Sequence, residues 1–279
     1  LVEVTLSGAK TNIFKMVLFF MENFKIIKEG IVIIQWLRIC DTQLSEVLYN
    51  AIRHKEKERE NYFVEYYKVD SRDEFQAVLQ ELIYKTKKGT LFTLHIVSHG
   101  NEDGIGTEFG NIIRWGKLFH YTRQLNVTMG NNLLLVLSSC VGGGIISHIE
   151  PEERAPYRAI IGNTREVFAS DAQKGFAAFY ADYYNIIDFP KAIRALNREI
   201  DITEEIEPRR KKTEFFIMTA EHSFNEVFNP DRDPIAFERI INKLMPPNFI
   251  IPQELRIKKA KELFIKRGEE LKPYFCFLD

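Results

Sequence analysis

The 279-residue chain has few cysteines: Cys40, Cys140 and Cys276 are all it carries, widely spaced and without a C-x-x-C pair. So few, scattered over the chain, build neither a disulfide framework nor a cysteine-rich zinc site, and they fit a reducing, cytoplasmic setting. An excess of either charge is lacking too. Lys and Arg number 38 against 39 Asp and Glu, a formal net charge of −1. That balance gives no whole-surface reason to expect direct nucleic acid or an anionic membrane as a partner. No long hydrophobic run occurs. Residues 13–21 are apolar but interrupted by Lys15 and followed by Glu22, well short of the roughly 20 residues that cross a bilayer. No small-residue cleavage pattern follows them, which argues against a signal peptide. Internal repeats and low-complexity tracts are missing as well. The chain opens on Leu1 instead of Met, and we read it as a piece of a longer protein, with a partner segment elsewhere.

What remains is an ordinary globular composition, 45% hydrophobic and 28% charged, long enough for one large domain or a domain with an appendage. Residues 2–6 alternate like a strand and residues 12–28 have helical apolar spacing. Beyond them the pattern becomes regular. Apolar runs at 31–37, 62–69, 91–98, 133–138, 157–162 and 213–219 read as six strands. Helices are expected between them: from Thr42 to about 56, from Ser71 to about 87, over 115–125, from Ser170 to about 184 and from Asp188 to about 199. Ser71 with Glu74 forms a capping box, and Gly89 ends that helix. Residues 101–110, with Gly104, Gly106 and Gly110, read as a mobile rim, and 203–212 as a charged loop whose Arg209, Arg210, Lys211 and Lys212 are solvated. Two further helices are expected at about 233–244 and 253–267. This alternation implies a mostly parallel sheet with helices on both faces, in which a flavodoxin-like order makes the third and fourth strands neighbours.

Chemistry concentrates where those two strands run out. The run from Leu133 to Leu137 leads through Ser138 and Ser139 to Cys140, with Gly142, Gly143 and Gly144 behind it, and the preceding strand ends in His99-Gly100. A cysteine in an apolar strand is most often a small core residue. Its place before a glycine turn, one strand away from His99, favours a nucleophile. Its thiolate would attack a carbonyl, His99 would handle the proton given to the leaving amine, and an acyl-enzyme would be hydrolysed. The backbone N–H groups of Gly100 and Cys140 would hold the oxyanion. His95 and His99 would suit zinc on a helix, but four strand residues span about 13 Å, so no metal is expected and His95 reads as a buried, hydrogen-bonded core histidine. His148 is the fallback base, while His54, His120 and His222 lack context. The glycines at 142–144 do not complete a dinucleotide loop, and no cofactor is implied.

The motifs His95-Ile-Val-Ser-His99-Gly100 and Leu137-Ser-Ser-Cys140-Val-Gly142 resemble those of the caspase-like (clan CD) cysteine peptidases, and of the CHAT-type branch most. The later residues 167–171, Phe179-Tyr180 and 191–195 follow that branch's succession of acidic turn, helix and Ala-rich helix. The resemblance covers about 29–225. It implies a caspase-like three-layer sandwich with a six-stranded, mostly parallel sheet, and thiol-protease activity on a protein or peptide substrate. It also implies control by a regulatory or sensor subunit, and a context such as bacterial antiviral defence or cell death. The true-caspase Q-A-C-[RQG]-G signature is not met. Ser138 stands where metacaspase- and separase-like members place an acid that selects Arg or Lys. Asp41 is the candidate to supply that negative charge instead, whereas Arg38 and Arg165 sit on loops that in caspases hold an acidic side chain.

The expected organisation is therefore a lead segment (1–28), a peptidase domain (29–225) and a C-terminal helical appendage (226–279). Two other functions compete. A glutamine-amidotransferase-type amidohydrolase also uses a strand-end cysteine, but its histidine follows in a His-x-Glu step that this sequence lacks. A non-catalytic interaction module on the same fold would leave Cys140 no more reactive than Cys40 or Cys276.

Overall fold

A computed structural model of the chain describes residues 28–41, 44–108, 111–140, 148–163, 169–186, 189–206, 215–229, 237 and 253–278. The expected lead-segment strand and helix and the helix at 233–244 lie outside these residues, apart from Phe237.

The sheet follows from apolar runs that are buried on both sides. Strand β1 (Lys28–Trp36) is fully covered from Ile31 to Ile34, as a central parallel strand must be. It pairs in parallel with β2 (Tyr62–Lys68) on one side and with β3 (Thr90–Gly100) on the other. Next come β6 (Leu134–Ser138) and β7 (Ala159–Asn163), also parallel. The last strand, β8 (Phe215–Thr219), runs antiparallel to β7. The order is β2-β1-β3-β6-β7-β8, and it makes the His99 and Cys140 strands neighbours.

The described sheet has eight strands instead of the expected six. The difference is a ribbon of β4 (Gly104–Glu108) and β5 (Asn111–Arg114), antiparallel to each other and attached to the end of β3 through His99↔Gly106 and Gly100↔Ile105. The supposed mobile rim is thus largely a paired hairpin. Its glycines serve close approach instead of mobility, because side chains at Gly104 and Gly106 would collide with the carbonyl oxygens of Ile113 and Asn111.

Helices cover both faces. On one lie α1 (Leu44–Ile52), α4 (Ala169–Ile186) and α5 (Phe189–Ile206), which share a core with Ile31, Ile33, Val136 and Ile161. On the other lie α2 (Arg72–Thr86), α3 (Trp115–Thr128), α6 (Ala220–Val227) and α7 (Gln253–Phe275), packed with Val32, Ile34, Leu94, Ile96, Leu135 and Leu137. The odd and even residues of each strand therefore serve different layers. The Ser71 hydroxyl accepts from Glu74 N–H at 3.2 Å, while the Glu74 carboxylate reaches back to Asp70 N–H at 2.8 Å, one residue further than a standard box.

Several helix boundaries differ from expectation. Residues 53–57 form a 3-10 turn after α1 and not its continuation. Helix α4 starts at Ala169, so Ser170 lies inside it and bonds the Asp171 carboxylate at 3.2 Å instead of capping. Helix α5 runs on to Ile206, into the stretch read as a loop, because its apolar stripe (Ala192, Leu196, Ile200) outweighs the charged residues that follow. Helix α7 extends to Phe275 and docks Leu271, Phe275 and Cys276 into the α2/α3 layer. Phe275 C=O there accepts from Ala155 N–H at 3.1 Å. Among the described residues no helix is long and apolar enough to cross a membrane.

Candidate functional site

Strand register puts the candidate base and nucleophile at one level. Val97 pairs with Ser138 in the parallel β3/β6 ladder, and His99 and Cys140 each lie two residues beyond that pair. His99 is still on β3, whereas Cys140 lies in the turn just past β6, and neighbouring strands run about 4.8 Å apart. Both residues thus emerge at the carboxyl edge of adjacent strands. Gly100 lies so close to the Cys140 backbone that a side chain there would strike the Cys140 carbonyl oxygen and lie 3.1 Å from Ser139 Cβ. This approach brings the two strand ends into backbone contact.

The three thiols differ in access. Cys40 is exposed, Cys140 half-buried and Cys276 buried. Burial pushes the Cys276 thiol pKa up, which makes it the poorest nucleophile of the set by environment.

His99 has a partner that sequence reading placed elsewhere. Its Nε2–H donates to Asp41 Oδ2 at 2.7 Å across 58 residues of chain. Asp41 is only 15% exposed and His99 47%. Arg38 clamps the same carboxylate, with Nη2 at 2.9 Å, Nε at 3.2 Å and its backbone N–H at 2.9 Å. That guanidinium, then the histidine and the Arg38 amide, hold the Asp41 carboxyl far below the usual carboxylate range against the opposing effect of burial. An ionised, clamped carboxylate fixes the orientation of the imidazole.

Behind the pair opens a cleft of about 100 Å³, lined by Leu37, Ser45, Leu48, His95, Val97, Ser98, His99, Ser138, Ser139, Cys140, Ala172, Gln173 and Phe176. Helices α1 and α4 form its outer wall and the ends of β3 and β6 its floor. Of the four substrate-binding candidates, Ser138 lines the cleft. Asp41 and Arg38 form the ion pair beside His99, outside the lining, and Arg165 lies outside the described residues, as do Gly142, Gly143 and Gly144.

His95 is fully buried, its Nδ1 hydrogen-bonded to Tyr180 OH at 3.0 Å and its ring 4.5 Å from the Phe176 ring centroid. Burial pushes its pKa down to about 3, so it is neutral at ordinary pH. His148 is exposed and does not line the cleft. His54 and His222 sit 3.6 Å from Glu58 and Glu226 on their own helical turns, and His120 bonds Gln124 at 2.8 Å. Among the described residues no three His, Cys, Asp or Glu side chains gather in a way that could hold a metal ion.

Sequence reading missed two features of this site. The first is the Asp41–His99 contact. The second is a set of buried polar groups in the residues around the cleft. Ser45 Oγ, Ser98 Oγ, Ser139 Oγ and His95 Nε2 are buried without a hydrogen-bond partner among the described residues. Asp41 carried a signal, since it follows a central strand's carboxyl end, but the serines carried none.

No protein-family model matches the sequence, and no curated protein matches it. Among solved structures the chain is similar to the Drosophila initiator caspase Dronc, with 13% identity and a TM-score of 0.48 over 70% of this chain and 82% of that one. It is also similar to drICE, with 14% identity and a TM-score of 0.47 over 71% and 90%.

Proposed function

We propose that the chain is a cysteine endopeptidase of the caspase-like, CHAT-type kind, cutting a protein partner with Cys140 as nucleophile and His99 as base and acid. The observation that carries this reading is the shared level of His99 and Cys140 at the edge of neighbouring strands, with Asp41 orienting the imidazole at 2.7 Å. The Cys140 proton passes to His99, and Sγ bonds to the scissile carbonyl carbon. The oxyanion forms against the N–H groups of Gly100 and Cys140, a contribution worth about 10²–10³ in rate for a single donor. The tetrahedral adduct collapses as His99 protonates the leaving amine. Water then attacks the thioester with His99 as base and releases the acid product.

The peptidase unit is 29–225, with 226–279 as a helical appendage, and the setting is the cytoplasm. The β4/β5 ribbon, paired directly to His99 and Gly100, is the route by which a regulatory subunit would shift the base. The CHAT-type motifs support an effector role in defence or cell death.

The test compares wild type with Cys140→Ala in cell lysate, which supplies any activating subunit, with new N-termini read by mass spectrometry. Cleavage sites found only with the wild type are expected. Identical sets of N-termini would overturn the reading.

A further inference from the structure

The cleft beside Cys140 is walled mainly by carbon. Val97, which pairs with Ser138 across β3 and β6, packs on the layer that holds α1 and α4. Leu48, Ala172 and Phe176 enter the same layer from those helices, and all four apolar residues line the cleft together with Leu37. The buried polar atoms nearby open no surface into it. Ser45 Oγ, Ser98 Oγ, Ser139 Oγ and His95 Nε2 are each sealed from solvent. Ser98 also turns to the opposite layer by strand alternation, and His95 Nδ1 is taken by Tyr180 OH at 3.0 Å. Among the described residues the lining holds no Asp, Glu, Lys or Arg.

We propose that this cleft is the specificity pocket for the residue whose carbonyl Cys140 attacks, and that it takes an uncharged aliphatic side chain of Leu or Met size. The proposal rests on the peptidase reading above and adds the substrate class. An apolar side chain gains by leaving water for such walls. A carboxylate or ammonium group would shed its water there with no counter-charge to meet it, and a primary amide with no partner. His95 offers no positive charge, because burial keeps it neutral. Asp41 offers no free negative charge, because Arg38 and His99 already hold it outside the lining. Size points the same way. A closed apolar cavity of about 150 Å³ holds a benzene molecule, so this smaller cleft of about 100 Å³ suits one aliphatic chain.

The experiment adds tetrapeptidyl acyloxymethyl ketones to the full chain in cell lysate. The probes differ only in the residue next to the ketone: Leu, Met, Ala, Asn, Asp, Lys or Arg. Cys140 Sγ forms a bond to the ketone's methylene carbon, the acyloxy group leaves as carboxylate with the electron pair, and the thiol proton passes to His99. Labelling is therefore read as a mass increase on the Cys140 peptide, without turnover. The Leu or Met probe is expected to label Cys140 about 10- to 100-fold faster than the Ala, Asn and charged probes. Ser138→Asp, which sets a carboxylate in the lining at a half-buried position, should cut the Leu-to-Lys ratio at least about tenfold. The proposal is overturned if a charged probe is fastest on the wild type, if Ala or Asn matches Leu and Met, if Ser138→Asp leaves the ratio unchanged, or if no peptide labels Cys140. Those results would leave the peptidase reading standing, since it falls only if Cys140→Ala leaves cleavage unchanged.

Discussion

On one face of the sheet, Val32, Ile34 and Trp36 of β1 enter a layer shared with α2, α3, α6 and α7; on the other, Ile31 and Ile33 meet α1, α4 and α5. The first layer is closely filled with aromatics, Trp36 stacking on Phe75 at 4.9 Å and Phe224 lying 5.1 Å from Phe275. Its buried polar groups are mostly spoken for: Asn126 donates to Ala155 C=O at 2.9 Å and accepts from Leu133 N–H at 3.1 Å, and Tyr157 OH meets Ser223 at 3.0 Å. Trp36 Nε1 and Ser98 Oγ, which share this side of the sheet by strand alternation, are exceptions among the described residues. The second layer opens into the cleft and carries His95 and Ser45. One face is closed and filled with aromatics, whereas the other leaves open space beside His99 and Cys140.

If that division is right, substitutions at the cleft should change turnover and spare stability, while those in the filled layer should do the reverse. Cys140→Ala should have the largest effect, a loss of about 10⁴-fold or more in peptide cleavage, with a melting temperature close to wild type by calorimetry. His99→Ala should lower kcat by about 10²–10⁴-fold. Phe275→Ala should show the opposite pattern, with about 3–5 kcal/mol lost in urea unfolding and unchanged activity per folded molecule.

Asp41→Asn should lower kcat by about 10- to 100-fold, or about 1.4–2.7 kcal/mol in barrier, with KM little altered. Since Arg38 keeps the Asp41 carboxyl ionised well into acid, that deficit should be constant above about pH 5. His95 gives a smaller effect, in stability. Its pKa is near 3 when folded against about 6.5 unfolded, so the unfolded chain binds the extra proton. Stability is then full above about pH 6.5 and falls toward pH 3, by up to about 1.4 kcal/mol per pH unit. His95→Gln should flatten that slope in urea titrations. Least affected should be Lys85→Met. Lys85 lies 2.8 Å from Glu65 and 2.9 Å from Glu81, but at a partly exposed site, where such pairs are worth less than about 1 kcal/mol.

The two faces also differed in how far they could be read from sequence. Central parallel strands are apolar runs that end in small or polar residues, so β1, β3 and β6 were visible, and with them His99 and Cys140 at strand ends. The β4/β5 ribbon was not, because Gly104 and Gly106 look like loop residues until the partner backbone explains their lack of side chains. The Asp41–His99 bond joins residues 58 apart, and only the β1/β3 pairing brings them together. Ser45, Ser98 and Ser139 look like unremarkable small residues in sequence, and only burial without partners distinguishes them. The start of α4 at Ala169 instead of Ser170 shows the limit of capping signals where a neighbouring side chain competes for the hydroxyl, here Asp171 for Ser170.

In the proposed mechanism His99, oriented by Asp41, acts on the sulfur of Cys140. The most direct test is the rate of iodoacetamide alkylation at Cys140 relative to the exposed Cys40, read from the two peptides in one digest at pH 6. Cys140 should react faster than Cys40 in the wild type and lose that advantage in His99→Ala. Equal rates in the wild type, or an advantage that survives His99→Ala, would contradict it.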